Sequence, residues 1–265
     1  MQENTSYYTL SAADITARIN KATGMLEEVI NKKGIIPFAN GPVFITDRNV
    51  ECVNISTSVT AEGLPAITAI YKYEKEKREA YRFTWTMQKN GILQLDYNYR
   101  PLDNIEMAGV TFDFPEKEIK GAQLFANGPY RVYNNRLKGG TLNVWEKEYN
   151  DAITGEVWEY PEFKGYYSQF YGMKLLCPTP FEVYSASEDL FLHLFTPTIQ
   201  QEYDPEINYT FPKYPAGNIS FMDAIPAVGT KFGEAENFGP QSQHHRFKEF
   251  SASPNLSNRL YFRFN

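Results

Sequence analysis

An all-β fold of two packed antiparallel sheets follows from three properties of the 265-residue sequence. Apolar residues recur at period two, helical periodicity is nearly absent, and ten or more strand-like runs are separated by turn residues. One open, twisted sheet rarely holds so many strands, so two sheets face to face in a large sandwich is the economical arrangement. The chain carries 19 Tyr, 19 Phe and 3 Trp, residues that favour strands and fill a large core. With no internal repeat, linker or low-complexity tract, a single domain spanning residues 1–265 is expected.

The elements can be placed in order. Ile15, Ala17 and Ile19 alternate with polar residues, Lys21-Ala22-Thr23-Gly24 turns the chain, and Met25 to Ile30 returns it, which predicts a hairpin. Tyr81, Phe83, Trp85 and Met87 alternate, as do Leu93, Leu95, Tyr97 and Tyr99, with Asn90-Gly91 between the runs. The two apolar sets should share one face, leaving Arg82, Thr84, Thr86, Gln94, Asp96 and Asn98 on a wet one. Further strands are expected at Ala66 to Tyr73, Gly109 to Phe114, Gly121 to Ala126, Phe181 to Ser185, Leu190 to Phe195 and Arg259 to Phe264. The mixed charges of Glu74 to Glu79 read as a solvated hairpin tip. Asn143 to Gly165 and Tyr203 to Gln243 resist a strand reading, and loops of that length are usually functional or packed over a sheet.

Composition removes several function classes. A net charge of -6 argues against nucleic acid as a partner, because phosphates require a basic surface. No run of about 20 apolar residues spans a membrane, and Met1-Gln2-Glu3-Asn4 does not begin a signal peptide. Cys52 and Cys177 are too few and too far apart for a disulfide framework and should be free thiols. Nucleotide loops, zinc-type cysteine spacing and a serine nucleophile elbow are absent, so no cofactor or metal is expected.

The run Gly128-Pro129-Tyr130-Arg131-Val132-Tyr133-Asn134-Asn135-Arg136 gathers a predicted bend, aromatics, amides and guanidinium groups. Such groups suit a sugar: polar side chains meet vicinal hydroxyls and a flat ring meets the apolar face. Aromatic density peaks from Trp158 to Tyr171, where Trp158 and Tyr160 beside Pro161 are the expected exposed pair. Glu156, Glu159, Glu162, Asp223, Glu234 and Glu236 are acids of the long loops, but none has a partner at a meaningful spacing for a glycosidase dyad, so solvated acids and no catalytic residues are expected. His244 and His245 are neighbours, which on a strand point to opposite faces and cannot share an ion. His193, within Leu190 to Phe195, reads as a structural histidine.

At four places, in order along nearly the whole chain, the sequence resembles the C-terminal domain of family 2 glycoside hydrolases of the β-galactosidase type. Thr9 to Ile30 is similar to that domain's opening hairpin. Gly128, Pro129, Tyr133 and Arg136 match its Gly-Pro-x-Glu-Asn-Tyr-x-Asp-Arg segment at the first two, sixth and last positions. Pro161 and Gly165 fall at its Pro-x-Glu-x-Gly-x-Arg segment, and Phe238-Gly239-Pro240 lies where many members have Trp. Arg131 and Val132 replace the family's Glu-Asn, Asn135 its Asp, and Tyr167 its Arg.

The resemblance implies a galactose-mutarotase-like supersandwich that completes the sugar site of a catalytic barrel, encoded in a partner domain or subunit. It implies Phe238, or alternatively Phe232, as the ring that stacks on substrate. Tyr133, Arg136, Arg131, Trp158, Tyr160 and Phe238 are thus the expected carbohydrate-binding residues. Two other functions remain open: an aldose 1-epimerase using His193 as acid, and a polysaccharide-binding module using Trp158 and Tyr160.

Overall fold

The structure, a computed structural model, describes residues 1–75, 79–101, 104–149, 165–195, 213–230, 233–246 and 256–264. Five strands, β1 (Gln2–Glu3), β2 (Tyr7–Ala12), β3 (Ile15–Asn20), β4 (Leu26–Asn31) and β5 (Gly34–Pro37), form a meander in chain order. A second sheet of 13 strands begins with β6 (Asn40–Phe44), β7 (Val50–Val59), β8 (Pro65–Tyr73), β9 (Glu79–Met87), β10 (Leu93–Tyr99) and β11 (Ala108–Asp113). It continues with β12 (Gly121–Val132), β13 (Thr141–Glu148), β14 (Tyr166–Leu176), β15 (Phe181–Ser185), β16 (Phe191–Leu194), β17 (Ile219–Ala224) and β18 (Leu256–Arg263). No α-helix occurs among the described residues, and no helix is long and apolar enough to cross a membrane.

The large sheet runs β6-β11-β17-β16-β14-β15-β18-β10-β9-β8-β7, with β12 and β13 added beside β14. Strand β14 serves two wings. Its Tyr167 pairs with Leu192 of β16, whereas Gly172 to Leu175 pair with β15. Between these contacts Gln169 adopts a φ of 47°, a left-handed conformation that turns the strand out of plane. The wings consequently face one another. Phe112 of β11 meets Phe262 of β18 with centroids 5.6 Å apart, and Phe44 of β6 meets Tyr99 of β10 at 4.5 Å.

The period-two reading holds in the core. Tyr81, Phe83, Trp85 and Met87 are all buried, and they pair with Tyr99, Tyr97, Leu95 and Leu93, which are buried as well. Strands β3 and β4 form the expected N-terminal hairpin, and its turn seats on β8 and β9. There the Trp85 indole donates to the Gly24 carbonyl at 3.1 Å, and the Tyr71 hydroxyl donates to the Thr23 carbonyl. Gly24 has a φ of 68°, and a Cβ on it would lie 2.3 Å from that of Ala69, so only glycine lets the two sheets approach this closely.

Several expectations require correction. Asn143 to Gly165 was expected to lack strands, yet β13 extends to Glu148 as an edge strand whose Leu142 and Val144 face solvent. Tyr203 to Gln243 contains β17, whose Ile219, Ser220, Phe221 and Met222 are all buried, so burial does not alternate along it, as in strands covered on both faces. Gly128-Pro129 does not turn the chain. It lies within β12, in a bulge between Asn127, which pairs with Ser168, and Val132, which pairs with Tyr166. Thr86 and Gln94 are buried on the side expected to be wet, where Gln94 donates to Asp96 at 2.5 Å. The expected tip at Glu74 to Glu79 lies partly outside the described residues. Cys52 and Cys177 are free, and burial pushes the Cys177 thiol up to about 11.

Asp223 is the largest correction among the acids. Far from being a solvated loop carboxylate, it lies on β17 between the wings, accepting from the Tyr99 hydroxyl at 2.6 Å and from the Asn258 amide at 2.5 Å. Burial raises its pKa to about 6, although both hydrogen bonds pull the other way. An aspartate of the unfolded chain ionises near 3.9. Between those values the unfolded chain has lost a proton that the folded protein keeps, so this group's contribution to stability falls as pH rises and then levels off. Asp223→Asn should abolish that fall, worth about 3 kcal/mol. Urea midpoints of both proteins from about pH 4 to pH 7 test this: profiles that run parallel across the interval would refute it.

Candidate functional site

Strand β12 delivers the chain into a tight turn in which Arg136 N donates to the Tyr133 carbonyl at 2.8 Å. The two asparagines of this turn clamp a segment about a hundred residues away. Asn134 donates through its backbone to the Pro226 carbonyl at 2.9 Å and through its side chain to the Gln241 carbonyl at 2.8 Å. Asn135 donates to the Val228 carbonyl at 2.9 Å and to Ser242 Oγ at 3.1 Å, and accepts from Val228 N at 3.0 Å. The clamped segment has little regular structure beyond 3-10 turns at Ala235–Asn237 and Pro240–Ser242, so these bonds fix its position. Between turn and segment lies a depression of about 410 Å³ walled by Asn135, Arg136, Thr230, Phe238 and Gln241.

Val228 also lines this depression and belongs to a buried cluster with Val132, Tyr133, Tyr166, Met222 and Ile225. Tyr133 stands edge-on to Tyr166 at 5.9 Å, and Tyr214 stacks on His193 of β16 at 5.2 Å. Burial drives the Tyr133 and Tyr166 phenols well above their usual range, and the Tyr214 phenol adds to both shifts. At neutral pH these tyrosines are neutral hydroxyls; Tyr166 donates to the Lys213 carbonyl at 2.6 Å.

A charged group stands nearby on the clamped segment. His244 Nε2 lies 3.4 Å from Glu236 and 3.6 Å from Glu106, while Lys213 Nζ donates to Glu106 at 2.7 Å. Glu106, Glu236 and His244 have the ligand types and proximity to hold a metal ion, their donor atoms lying within 4.8 Å of one another. The Lys213 ammonium already supplies Glu106 with a cation, which makes an ion-pair network the simpler description. His245 points elsewhere, its Nε2 lying 2.8 Å from the Ile225 carbonyl. Glu106 gave no signal in the sequence, because its partners come from distant segments.

Of the residues expected to bind sugar, Arg136 and Phe238 line one depression, and Phe238 is 47% exposed. Tyr133 is fully buried and does not line the depression, so its ring offers no open stacking face. The Arg131 backbone lies in β12, and its side chain is outside the described residues, as are Trp158, Tyr160, Glu156, Glu159, Glu162 and Phe232. Asn135, Thr230 and Gln241 were missed. Only Asn135 carried a sequence signal, as a member of the Gly-Pro segment.

No family model matches the chain, and a search of curated proteins finds no match. Among solved structures it is similar to a galactose mutarotase related enzyme from Lactobacillus acidophilus, with 11% identity and a TM-score of 0.47 over 98% of this chain and 97% of that one. It is also similar to a galactose mutarotase-like protein from Lactobacillus casei, with 11% identity and a TM-score of 0.44 over 98% of this chain and 100% of that one.

If the asparagine clamp shapes the depression, Asn135→Ala should cost about 1–3 kcal/mol by stranding the Val228 amide and carbonyl. Amide exchange across residues 226–242 should accelerate in the same variant. Unchanged exchange there would show that the segment is held by other contacts.

Proposed function

We propose that the chain binds carbohydrate in the depression between Asn135, Arg136 and Phe238. It would do so as a non-catalytic domain of a β-galactosidase-like glycoside hydrolase whose reacting carboxylates sit on a barrel in a partner domain or subunit. The observation that carries the reading is the convergence of Arg136 and Phe238 on one concavity of about 410 Å³, a volume within the range of small-ligand sites. A half-exposed ring offers a face to the C–H groups of a pyranose, while the guanidinium and the Asn135 and Gln241 amides reach its hydroxyls. The β-galactosidase assignment rests on the colinear motifs of the sequence, and the single-domain reading on its lack of an internal repeat, linker or low-complexity tract. Asp223 is engaged at both oxygens, by Tyr99 and Asn258, and does not line the depression.

His193 favours a second reading, an aldose 1-epimerase. It is 1% exposed and packs against Tyr166 and Tyr214, rings in or against the buried cluster to which Val228 belongs, and an imidazole there has the chemistry of a general acid.

Titration calorimetry with galactose and glucose tests the first reading. Phe238→Ala and Arg136→Ala should each weaken binding about tenfold or more, the loss of about 1.4 kcal/mol, with an unchanged thermal midpoint. Failure of the wild-type protein to bind either sugar at millimolar concentration would reject it. Polarimetry of fresh α-glucose and α-galactose decides between the readings: acceleration that disappears in a folded His193→Gln variant would establish the epimerase and displace the non-catalytic domain.

A further inference from the structure

The outer face of the large sheet carries a second feature, sharing no residue with the depression. Strands β13, β12, β14 and β15 lie side by side, and one row across them reads Val144, Phe125, Gly172, Tyr184. Phe125 is 43% exposed and Tyr184 41%, although Leu124 and Val183 beside them are fully buried. Tyr171 joins the row because β14 is bulged here, and its ring stacks on Phe125 at 5.0 Å with 27° between the planes.

Gly172 shows how Tyr184 lies. A Cβ on this glycine would meet Cδ1 of Tyr184 at 2.7 Å and Cε1 at 3.1 Å, so the ring reclines on the strand and turns its other face to solvent. Two carboxylates pin the tyrosines: Tyr184 donates to Glu182 and Tyr171 to Glu188, each at 2.7 Å. The rings therefore have little rotamer freedom left to lose on binding. They border a shallow depression of about 310 Å³ that also reaches Gln123, Lys174 and Glu182.

We propose that this row is a platform for an extended glycan chain. The open face of the reclining Tyr184 suits the weakly positive C–H faces of pyranose rings, and the exposed Phe125 beside it adds apolar area. Glu182 and Gln123 accept from ring hydroxyls and Lys174 donates to them. The backbones of Phe125 and Tyr184 stand two strand spacings apart, about 9–10 Å, and the Tyr184 ring reclines across the strand between them, so the aromatic row is continuous. The row is rimmed by the mixed charges of Lys174 and Glu182.

Affinity electrophoresis and calorimetry with β-1,4-linked gluco- and galacto-hexasaccharides, compared with their trisaccharides, test the proposal. At least one hexasaccharide should bind more tightly than its trisaccharide. Tyr184→Ala and Phe125→Ala should each weaken it about tenfold or more without lowering the melting temperature. Tyr184→Leu keeps apolar area and discards the flat face, so it should lose as much as Tyr184→Ala; full binding by the leucine variant overturns the proposal. Absence of hexasaccharide binding by the wild-type protein at millimolar concentration overturns it too. Binding lost in Phe238→Ala but kept in Tyr184→Ala would place the glycan in the Arg136 depression. A dimer in light scattering that Tyr184→Ala dissolves would assign the face to a second copy, and either result rejects the platform.

Discussion

The molecule depends on a dry aromatic contact between two halves of one sheet. Because β14 pairs with β16 near its start and with β15 further on, the sheet doubles over, and Phe44, Phe112, Tyr99 and Phe262 fill the space between. Burying rings of this size supplies most of the drive to keep the wings closed. The small sheet adds to this by seating the Gly24 turn against Ala69 and Trp85. Polar groups admitted between the wings must be satisfied there, as Asp223 is by Tyr99 and Asn258.

The candidate site hangs on that frame without being part of it. Val228, one of its lining residues, belongs to a separate buried cluster with Tyr133 and Tyr166, and its rim is a loop held by asparagine side chains. The arrangement divides the work: the sheet gives rigidity, and the clamped segment brings Phe238 to Arg136. A site built in this way can change its preference by changing loop residues while the core stays as it is.

What could be read from the sequence followed how each residue is buried. Where one face of a strand is wet, as in β9 and β10, alternation revealed strand, register and core together. Where both faces are covered, as in β17, or the edge is exposed, as in β13, the period fades and the strand is lost among loop residues. Site residues fared similarly. Arg136 and Phe238 could be named because each stands in a recognisable local pattern. Nothing local distinguishes an exposed Phe238 from a buried Tyr133, since burial is decided by segments a hundred residues away. Asp223 looked like a surface acid for the same reason. The reclining Tyr184 left no trace in the sequence, because its posture depends on a glycine of the neighbouring strand.

The position of β18 has a consequence for how the protein is made. Residues 256–263 insert between β10 and β15, pairing with seven residues of the first and four of the second. The β10 edge of the β7 to β10 hairpins and the β15 edge of the group β13-β12-β14-β15 thus emerge from the ribosome facing an open gap, which stays unfilled until this late segment has been translated. Exposed edges of that kind are sticky, so newly made chains depend on prompt arrival of the keystone strand, or on a chaperone that shields the gap until it comes.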